Sequence, residues 1–313
     1  METINVGKEQ LQLLAIIEEM GPDSAIYPFL NTYINKISTK EDIAMFKEAF
    51  RPVLDEDTLF GYTLRKPLGY AGDYMLIEMM YNRHLSANPR LCNWDKYYHS
   101  QEAVKAVLNR KTYFVNAMEE IYNRNNAKTE VLILGSGPAA DVHEFFSRNP
   151  KANVNFDLLD IDQRAIDYAS LKNTNYLDRI SFMKMNVLRF QPEKKYDLIW
   201  SAGLFDYLND RYFQNLLMRY KNNLKKDGEM IIGNFSTANP TRRVMEIIGE
   251  WYLLHRNEQH LLYLANEADI PSDFLDVEKE PLGINLFLRI KPKSNFYINN
   301  FEQLKSKRLK LQY

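Results

Sequence analysis

A single cysteine, Cys92, stands in a chain of 313 residues, so neither an intrachain disulfide nor a cysteine-based metal cluster can form. An excess of charge of one sign is missing too. Forty Lys and Arg stand against 41 Asp and Glu, a formal net charge of −1, which provides no basic field to hold nucleic acid or an anionic membrane. No apolar run approaches the roughly 18 residues that a membrane-spanning helix needs, and no internal repeat is visible. The opening Met1-Glu-Thr-Ile-Asn-Val-Gly-Lys8 has neither a basic start with an apolar core nor a small-residue cleavage site. The expectation is a protein of the reducing cytoplasm that acts on a small molecule or a protein, with no nucleic acid, no membrane span and a homo-oligomer left open.

What is present is ample apolar material, 45% of residues with 13% aromatic, organised around one stretch. Val131-Leu-Ile-Leu134 is too short for a helix and reads as a strand buried on both faces. It stops at Gly135-Ser-Gly-Pro-Ala-Ala140. Gly135 and Gly137 can take backbone angles closed to other residues and admit a ligand close to the main chain. Residues 139–148 then read as a helix with Val142, Phe145 and Phe146 on one face, its free N–H groups directed into the same crevice. A second apolar run, 156–159, ends at Asp160, 25 positions after Gly135. An acid at the tip of the second strand of a doubly wound sheet holds the two hydroxyls of a ribose. Strand, glycine turn, helix and acid at this spacing predict a nucleoside-type cofactor.

The first fifty or so residues read as helical. Residues 10–20 carry Leu11, Leu14 and Ile17, residues 25–37 carry Ile26, Leu30, Tyr33 and Ile37, and Ser38-Thr-Lys-Glu41 opens a third helix. Residues 51–74, with two prolines and three glycines, are expected as an aromatic loop, either packed between lobes or closing as a lid over the cofactor. A short helix at 75–81, a second aromatic loop at 88–99 and a long amphipathic helix at 101–123 follow. After Asp160 the pattern alternates: helix 164–171, strands 180–185 and 196–201, helix 212–223, a turn at 225–229 and a strand at 230–235. Helices at 241–254 and 258–266 precede a closing hairpin of 273–278 and 284–290. The expected division is a helical N-terminal cap or substrate domain over 1–124 and an α/β core over 125–291. Within that core 236–272 is read as a helical insertion over the pocket, and 292–313 as a tail.

Gly135-Ser-Gly137-Pro-Ala-Ala140 also satisfies the permissive dinucleotide fingerprint, which leaves a nicotinamide enzyme open. Parallel strands finishing in a hairpin, with Tyr196-Asp-Leu-Ile-Trp-Ser-Ala-Gly203 at the fourth strand, resemble the class I S-adenosylmethionine-dependent methyltransferases over about residues 125–291. The resemblance implies a Rossmann-like α/β sheet with a C-terminal antiparallel hairpin and S-adenosyl-L-methionine as cofactor. It implies that Gly135, Ser136 and Gly137 lie under the methionine portion, that Asp160 with Ile161 takes the ribose, and that Asn186 with Val187 meets adenine. Asn186 departs from the commoner Asp, but its amide oxygen can accept from the adenine amino group. Ser201 and Gly203 complete the contacts expected from the core.

A narrower resemblance is carried by Arg65-Lys-Pro-Leu-Gly-Tyr-Ala-Gly-Asp-Tyr74, by Tyr97-Tyr-His99, and by Gly233-Asn-Phe235 with Arg242 and Trp251. These look like bacterial extracellular-factor 3-hydroxypalmitic acid methyl ester biosynthesis proteins, which implies methylation of the carboxyl group of a 3-hydroxy fatty acid or similar small acid. It adds Tyr70 and Asp73 to the expected cofactor contacts.

Methyl transfer from a sulfonium is an in-line displacement, so positioning and exclusion of water are the main tasks. A carboxylate acceptor, with a pKa of about 4, is already ionised and needs no base, in keeping with a sequence that shows no nucleophile, base and orienter set. No catalytic residue is assigned; Tyr74, Tyr98, His99, Arg242 and Trp251 are positioning candidates. Expected substrate contacts are Tyr74, Tyr98, Phe205, Tyr207, Asn234, Arg242 and Trp251. Arg242 or Arg243 could fork onto a carboxylate, and the faces of Tyr70, Tyr74, Tyr98 or Trp251 could meet the sulfonium. The plain alternatives are a solvated arginine and packing tyrosines. A hydroxyl or amine acceptor would need a base, for which His99, Asp73 and Asp206 are the candidates. His255 and His260, five apart, lack metal-ligand spacing, and no metal is expected. An N- or O-methyltransferase of another small metabolite, and a protein that binds S-adenosylmethionine without turnover, stay open as alternatives.

Overall fold

The computed structural model describes residues 6–125 and 128–292, so the expected tail lies outside the described residues except for Pro292. The helices preceding the sheet are α1 (Val6–Glu18), α2 (Tyr27–Lys36), α3 (Lys40–Leu54), α4 (Leu59–Arg65), α5 (Tyr74–Tyr81), α6 (Pro89–Ser100) and α7 (Glu102–Arg124). There follow β1 (Thr129–Leu134), α8 (Ala140–Arg148), β2 (Val154–Asp160), α9 (Gln163–Lys172), β3 (Ile180–Lys184) and β4 (Tyr196–Ala202). The chain continues with α10 (Asp210–Tyr220), β5 (Leu224–Phe235), α11 (Arg242–Ile247), α12 (Glu258–Glu267), β6 (Leu275–Lys279) and β7 (Asn285–Ile290).

Two compact units emerge. One is Met1–Lys111 with Ala238–Leu253 and Pro281–Ile284; the other is Thr112–Thr237 with Leu254–Glu280 and Asn285–Tyr313. The division falls inside α7 rather than at 124, because the second half of that helix packs on the sheet. Tyr113 stacks on Phe287 with ring centroids 3.7 Å apart, and Phe114 lies 5.1 Å from Trp200. The expected insertion is divided as well, with 238–253 in the helical unit and the stretch from 254 in the α/β unit.

In the helical unit, both stretches expected as aromatic loops contain helices. Asn88 caps α6 by accepting from Arg90 N at 3.1 Å, and Pro89 occupies the first helical position, where its missing N–H costs nothing. The aromatic residues of α6 are therefore core: Trp94 meets Phe50 at 4.8 Å and Tyr98 meets Phe60 at 4.9 Å. The stretch 51–74 holds the end of α3, which continues past Pro52, and all of α4. Thr58 caps α4 through Gly61 N, and the helix stops at Lys66 in a left-handed conformation just before Pro67. Gly61 answers a close approach, since a Cβ there would lie 2.5 Å from the carbonyl oxygens of Leu54 and Glu56. In the stretch 241–254 only α11 is helical, and the backbone turns left-handed at Glu250.

The α/β unit is a seven-stranded sheet in the order β3-β2-β1-β4-β5-β7-β6. β1 to β5 are parallel and β7 runs antiparallel to both β5 and β6. This is the expected Rossmann-like arrangement with its closing hairpin. Alternate residues of β1 feed opposite cores: Val131 and Ile133 join Phe114, Met118, Val142 and Phe145 on one face, while Leu132 and Leu134 join Phe213, Leu217, Leu261 and Leu264 on the other. Burying each such side chain contributes about 1.5–3 kcal/mol, which is what holds β1 at the centre of the sheet. The expected turn at 225–229 is part of β5, where a register shift against Tyr196 and Leu198 absorbs the polar residues without ending the strand.

Candidate functional site

β1 is the strand from which the sheet grows in both directions, to β2 and β3 on one side and to β4 and β5 on the other. At such a switch point the loops leaving the carboxyl ends part and open a crevice. Gly135, Ser136, Gly137, Asp160, Ile161, Asn186, Val187, Ser201, Gly203, Phe205, Tyr207 and Asn234 all lie at or just beyond the carboxyl ends of β1 to β5.

The turn after β1 is anchored by Gly135 N and Ser136 N, which both donate to Leu159 O at 2.8 and 3.1 Å. Gly135 and Gly137 have φ of 69° and 52°, and Ala139 follows at 47° as the residue before α8. Nothing lies within 4 Å of where a Cβ on Gly137 would point. Ser136 is buried, and its hydroxyl has no hydrogen-bond partner among the described residues. Asp160 closes the cradle: Oδ2 accepts from Gly137 N at 2.8 Å and Oδ1 from Asp162 N at 3.0 Å. Burial pushes its carboxyl above the usual aspartate range, against the pull of the N–H groups of Asp162, Gly137 and Ile161. A carboxylate has about four lone-pair positions, so acceptor capacity is left beyond these bonds. Open space over Gly137, an unpartnered hydroxyl on Ser136 and acceptor capacity on Asp160 together fit the methionine and ribose portions of S-adenosylmethionine.

Other expected contacts are engaged in holding the fold. Asn186 Oδ1 accepts from Leu188 N at 2.8 Å, so the amide oxygen expected to meet adenine is already hydrogen-bonded in a local turn. Val187 O accepts from Tyr220 OH at 2.9 Å. Ser201 is fully buried and donates to Leu134 O at 2.8 Å, a strut between the ends of β4 and β1. Phe205, expected to touch substrate, is fully buried against Phe213 at 4.9 Å and belongs to the core. Asn234 is fully buried too, and its amide donates to Phe235 O and Leu254 O while its oxygen accepts from Arg256 Nη1 at 2.8 Å. Asp206, a candidate base, accepts from Phe235 N at 2.6 Å. Tyr207 is 44% exposed and Ile161 65%.

Arg256 was not legible as a site-building residue. Its guanidinium is 2% exposed, lies 4.8 Å from the Phe213 ring, and donates to Asp210, Asn234 and the carbonyls of Phe205 and Leu208. It thereby ties the loop after β4 to the end of β5. His260 Nε2 bonds Asp210 Oδ2 at 2.9 Å from the other side. The Asp210 carboxyl sits below its usual range: desolvation raises it, and the bonds from Arg256 and His260 outweigh that. Only a sequence-distant set of carbonyls defines the role of Arg256, and no spacing rule could reveal it.

The remaining candidates belong to the helical unit. Asp73 caps α5, its Oδ1 accepting from Leu76 N at 2.9 Å and Tyr62 OH at 3.2 Å, and it is 1% exposed. Tyr70 is 39% exposed, and Tyr74 is the first residue of α5. Tyr98 OH meets Thr63 Oγ1 at 3.1 Å inside the core, and burial drives its phenol far above the usual range. His99 Nε2 bonds the carbonyl of His84 at 2.8 Å and is therefore the protonated nitrogen; burial lowers the pKa of the ring. Arg242 Nε donates to Glu246 one turn on at 2.6 Å, and Arg243 Nη2 donates to Ile37 O. Trp251 is 6% exposed, with its backbone N–H donating to Met245 O at 3.0 Å.

Residues 125–269 match the family model described as "Methyltransferase domain". Two proteins of Ilyobacter polytropus are similar over part of their length. Malonyl-[acyl-carrier protein] O-methyltransferase 2 is 24% identical over 161 residues, 51% of this chain and 56% of that protein. Malonyl-[acyl-carrier protein] O-methyltransferase 1 is 29% identical over 125 residues, 39% of this chain and 42% of that protein. The chain thus spans about half the length of the curated relatives it matches. A crystal structure of a possible exported protein from Bordetella parapertussis shares the fold, with a TM-score of 0.61 at 15% identity over 92% of this chain and 95% of that one. The family match and the sheet order thus coincide on the glycine turn and the strands around it, and over residues 125–269 the chain is similar to a methyltransferase domain.

Proposed function

We propose that the protein transfers a methyl group from S-adenosylmethionine to the carboxyl group of a small acid, with a 3-hydroxy fatty acid as the preferred acceptor. The observation that carries this reading is the 2.8 Å bond from Gly137 N to Asp160 Oδ2, which joins the glycine turn and the ribose acid into one cradle. The donor supplies a methyl group on a positively charged sulfur. The glycine turn with Ser136 seats its amino-acid end, Asp160 receives the ribose hydroxyls, and the backbone around Asn186 and Val187 borders the base. A carboxylate acceptor attacks without a base, which suits a site in which the candidate base Asp206 is held on Phe235 N. The relatives from Ilyobacter polytropus are named as O-methyltransferases of an acyl compound, and an oxygen acceptor is what we carry over from them.

The N-terminal cap expected over 1–124 is read as the part that selects the acceptor. No helix among the described residues is long and apolar enough to cross a membrane; the single cysteine supports a cytoplasmic setting.

Methyl-labelled S-adenosylmethionine, incubated with 3-hydroxy acids, their amides and a set of amines, tests the proposal. Label recovered in a base-labile ester is the expected result. Label in an amine or a base-stable ether moves the acceptor to another metabolite. Calorimetric binding of S-adenosylhomocysteine with no label moved makes the protein a binder without turnover, and saturation by NADH with no heat from S-adenosylhomocysteine removes the donor altogether.

A further inference from the structure

Ala139 is held in a conformation that a side chain disfavours. Its φ is 47° and its ψ 37°, in the left-handed region, and it joins the glycine turn to α8 without a side-chain cap. A strained residue of this kind persists only where its surroundings fix it from several directions. On the turn side, Ala139 N donates to Ser136 O at 3.1 Å. On the helix side, Ala139 O accepts from His143 N at 3.1 Å. The third contact comes from 34 positions away in the chain. Asn173, which ends α9 and is fully buried, donates from Nδ2 to Ala139 O at 3.4 Å and to Ala169 O at 2.9 Å.

Stability alone does not account for an amide at this position. Asn173 Oδ1 is buried with no hydrogen-bond partner among the described residues, which costs free energy. Turning the amide over would not help, since its oxygen would then face two carbonyl oxygens. Nor do those carbonyls need it: Ala139 O keeps His143 N, and Ala169 O keeps the backbone N–H of Asn173 at 3.0 Å. What the amide nitrogen adds is a tie between the peptide after Ala139 and the end of α9. We infer that Asn173 is a positioning residue for the methyl donor. By holding Ala139 left-handed it fixes the turn from Gly135 to Ala139, and with it Ser136 and the Gly137 N–H that meets Asp160. The inference rests on the reading of that turn as the donor cradle. No spacing in the sequence marks Asn173, because the carbonyl it holds belongs to a different element.

The test uses the full chain with Asn173→Leu, which keeps the branched shape of the side chain, with Ala139→Gly, and with the two combined. Glycine takes the left-handed conformation without strain, so a turn that carries it needs no hold from Asn173. By calorimetry the Kd of S-adenosylhomocysteine should rise about fivefold or more in Asn173→Leu, while the melting temperature of the ligand-free protein stays near that of wild type. Ala139→Gly should bind as wild type does, and the combined variant should return to within about twofold of it. An unchanged Kd in Asn173→Leu overturns the inference. So does a rise that Ala139→Gly fails to reverse, which is what a general loosening of the fold would give. Should Asn173→Leu not fold, Asn173→Ala is read in the same way. If wild-type protein takes up no S-adenosylhomocysteine, the donor reading fails by itself, and hydrogen exchange at the Gly137 and Ala139 amides then decides for Asn173. Exchange that is faster in Asn173→Leu and slowed again by Ala139→Gly upholds its hold on the turn, and equal exchange in wild type and variants overturns it.

Discussion

Asp160 shows how one side chain can serve the backbone and a ligand together. Its two oxygens hold Gly137 N and Asp162 N and so set the width of the cradle, and a carboxylate has acceptor capacity beyond these bonds. Asp160→Asn should weaken S-adenosylhomocysteine binding by about 1–3 kcal/mol, the usual cost of removing a charged hydrogen-bond partner, read by calorimetry. Because burial raises its pKa, the two effects of pH have opposite signs. The free protein is relieved when pH falls through the folded value, since the buried charge is neutralised. Donor affinity is full above that value and is lost below it, because the ribose hydroxyls lose their charged acceptor. A titration of Kd from about pH 7 to about pH 4 should show the loss beginning above the ordinary aspartate value, and Asp160→Asn should be flat over the same range. At Gly137, φ of 52° and the empty space above it make alanine a strain of about 1 kcal/mol rather than a clash. Gly137→Ala should therefore melt nearly as wild type yet bind donor poorly, and equal losses in both measurements would argue against the cradle.

At the scale of elements, the loop after β4 depends on Arg256. Replacing it with alanine leaves the buried acceptors Asn234 Oδ1, Phe205 O and Leu208 O without their donor. At roughly 1–3 kcal/mol per unsatisfied buried group, partly offset by water, the loss of stability should be on the order of 3 kcal/mol in urea unfolding. A value near zero would mean that the loop holds itself. Asp210, on the same clamp, has a lowered pKa. Its contribution is complete above the ordinary aspartate value and declines as pH falls through the folded value. In the helical unit, Asn88→Ala removes the cap of α6 and should cost about 1 kcal/mol by the same measurement.

For the molecule as a whole, the donor product should act as a stabiliser by mass action. At a hundredfold excess over Kd it should add about 2.7 kcal/mol to the unfolding free energy, and Asp160→Asn should forfeit most of that gain. The methyltransferase domain supplies this binding, and the sheet order accounts for its place. The parallel strands put every candidate loop at one edge, and the antiparallel β7 and β6 extend the sheet beyond β5.

The sequence by itself determined the α/β core: apolar runs of strand length, the paired glycines and the acid at Asp160 act through local backbone geometry and fixed spacing, which a linear pattern carries. Segments 51–74 and 88–99 read as aromatic loops, yet both contain helices, because Pro89 starts a helix and Gly61 allows a carbonyl contact inside one. Only the tertiary structure decided which polar side chains are free to work. Asn234 and Ser201 are locked by partners far away in the chain, Phe205 is packed into the core, and Arg256 becomes a clamp. The physical reason is that a side chain's availability depends on what packing brings against it, and those neighbours come from distant parts of the sequence.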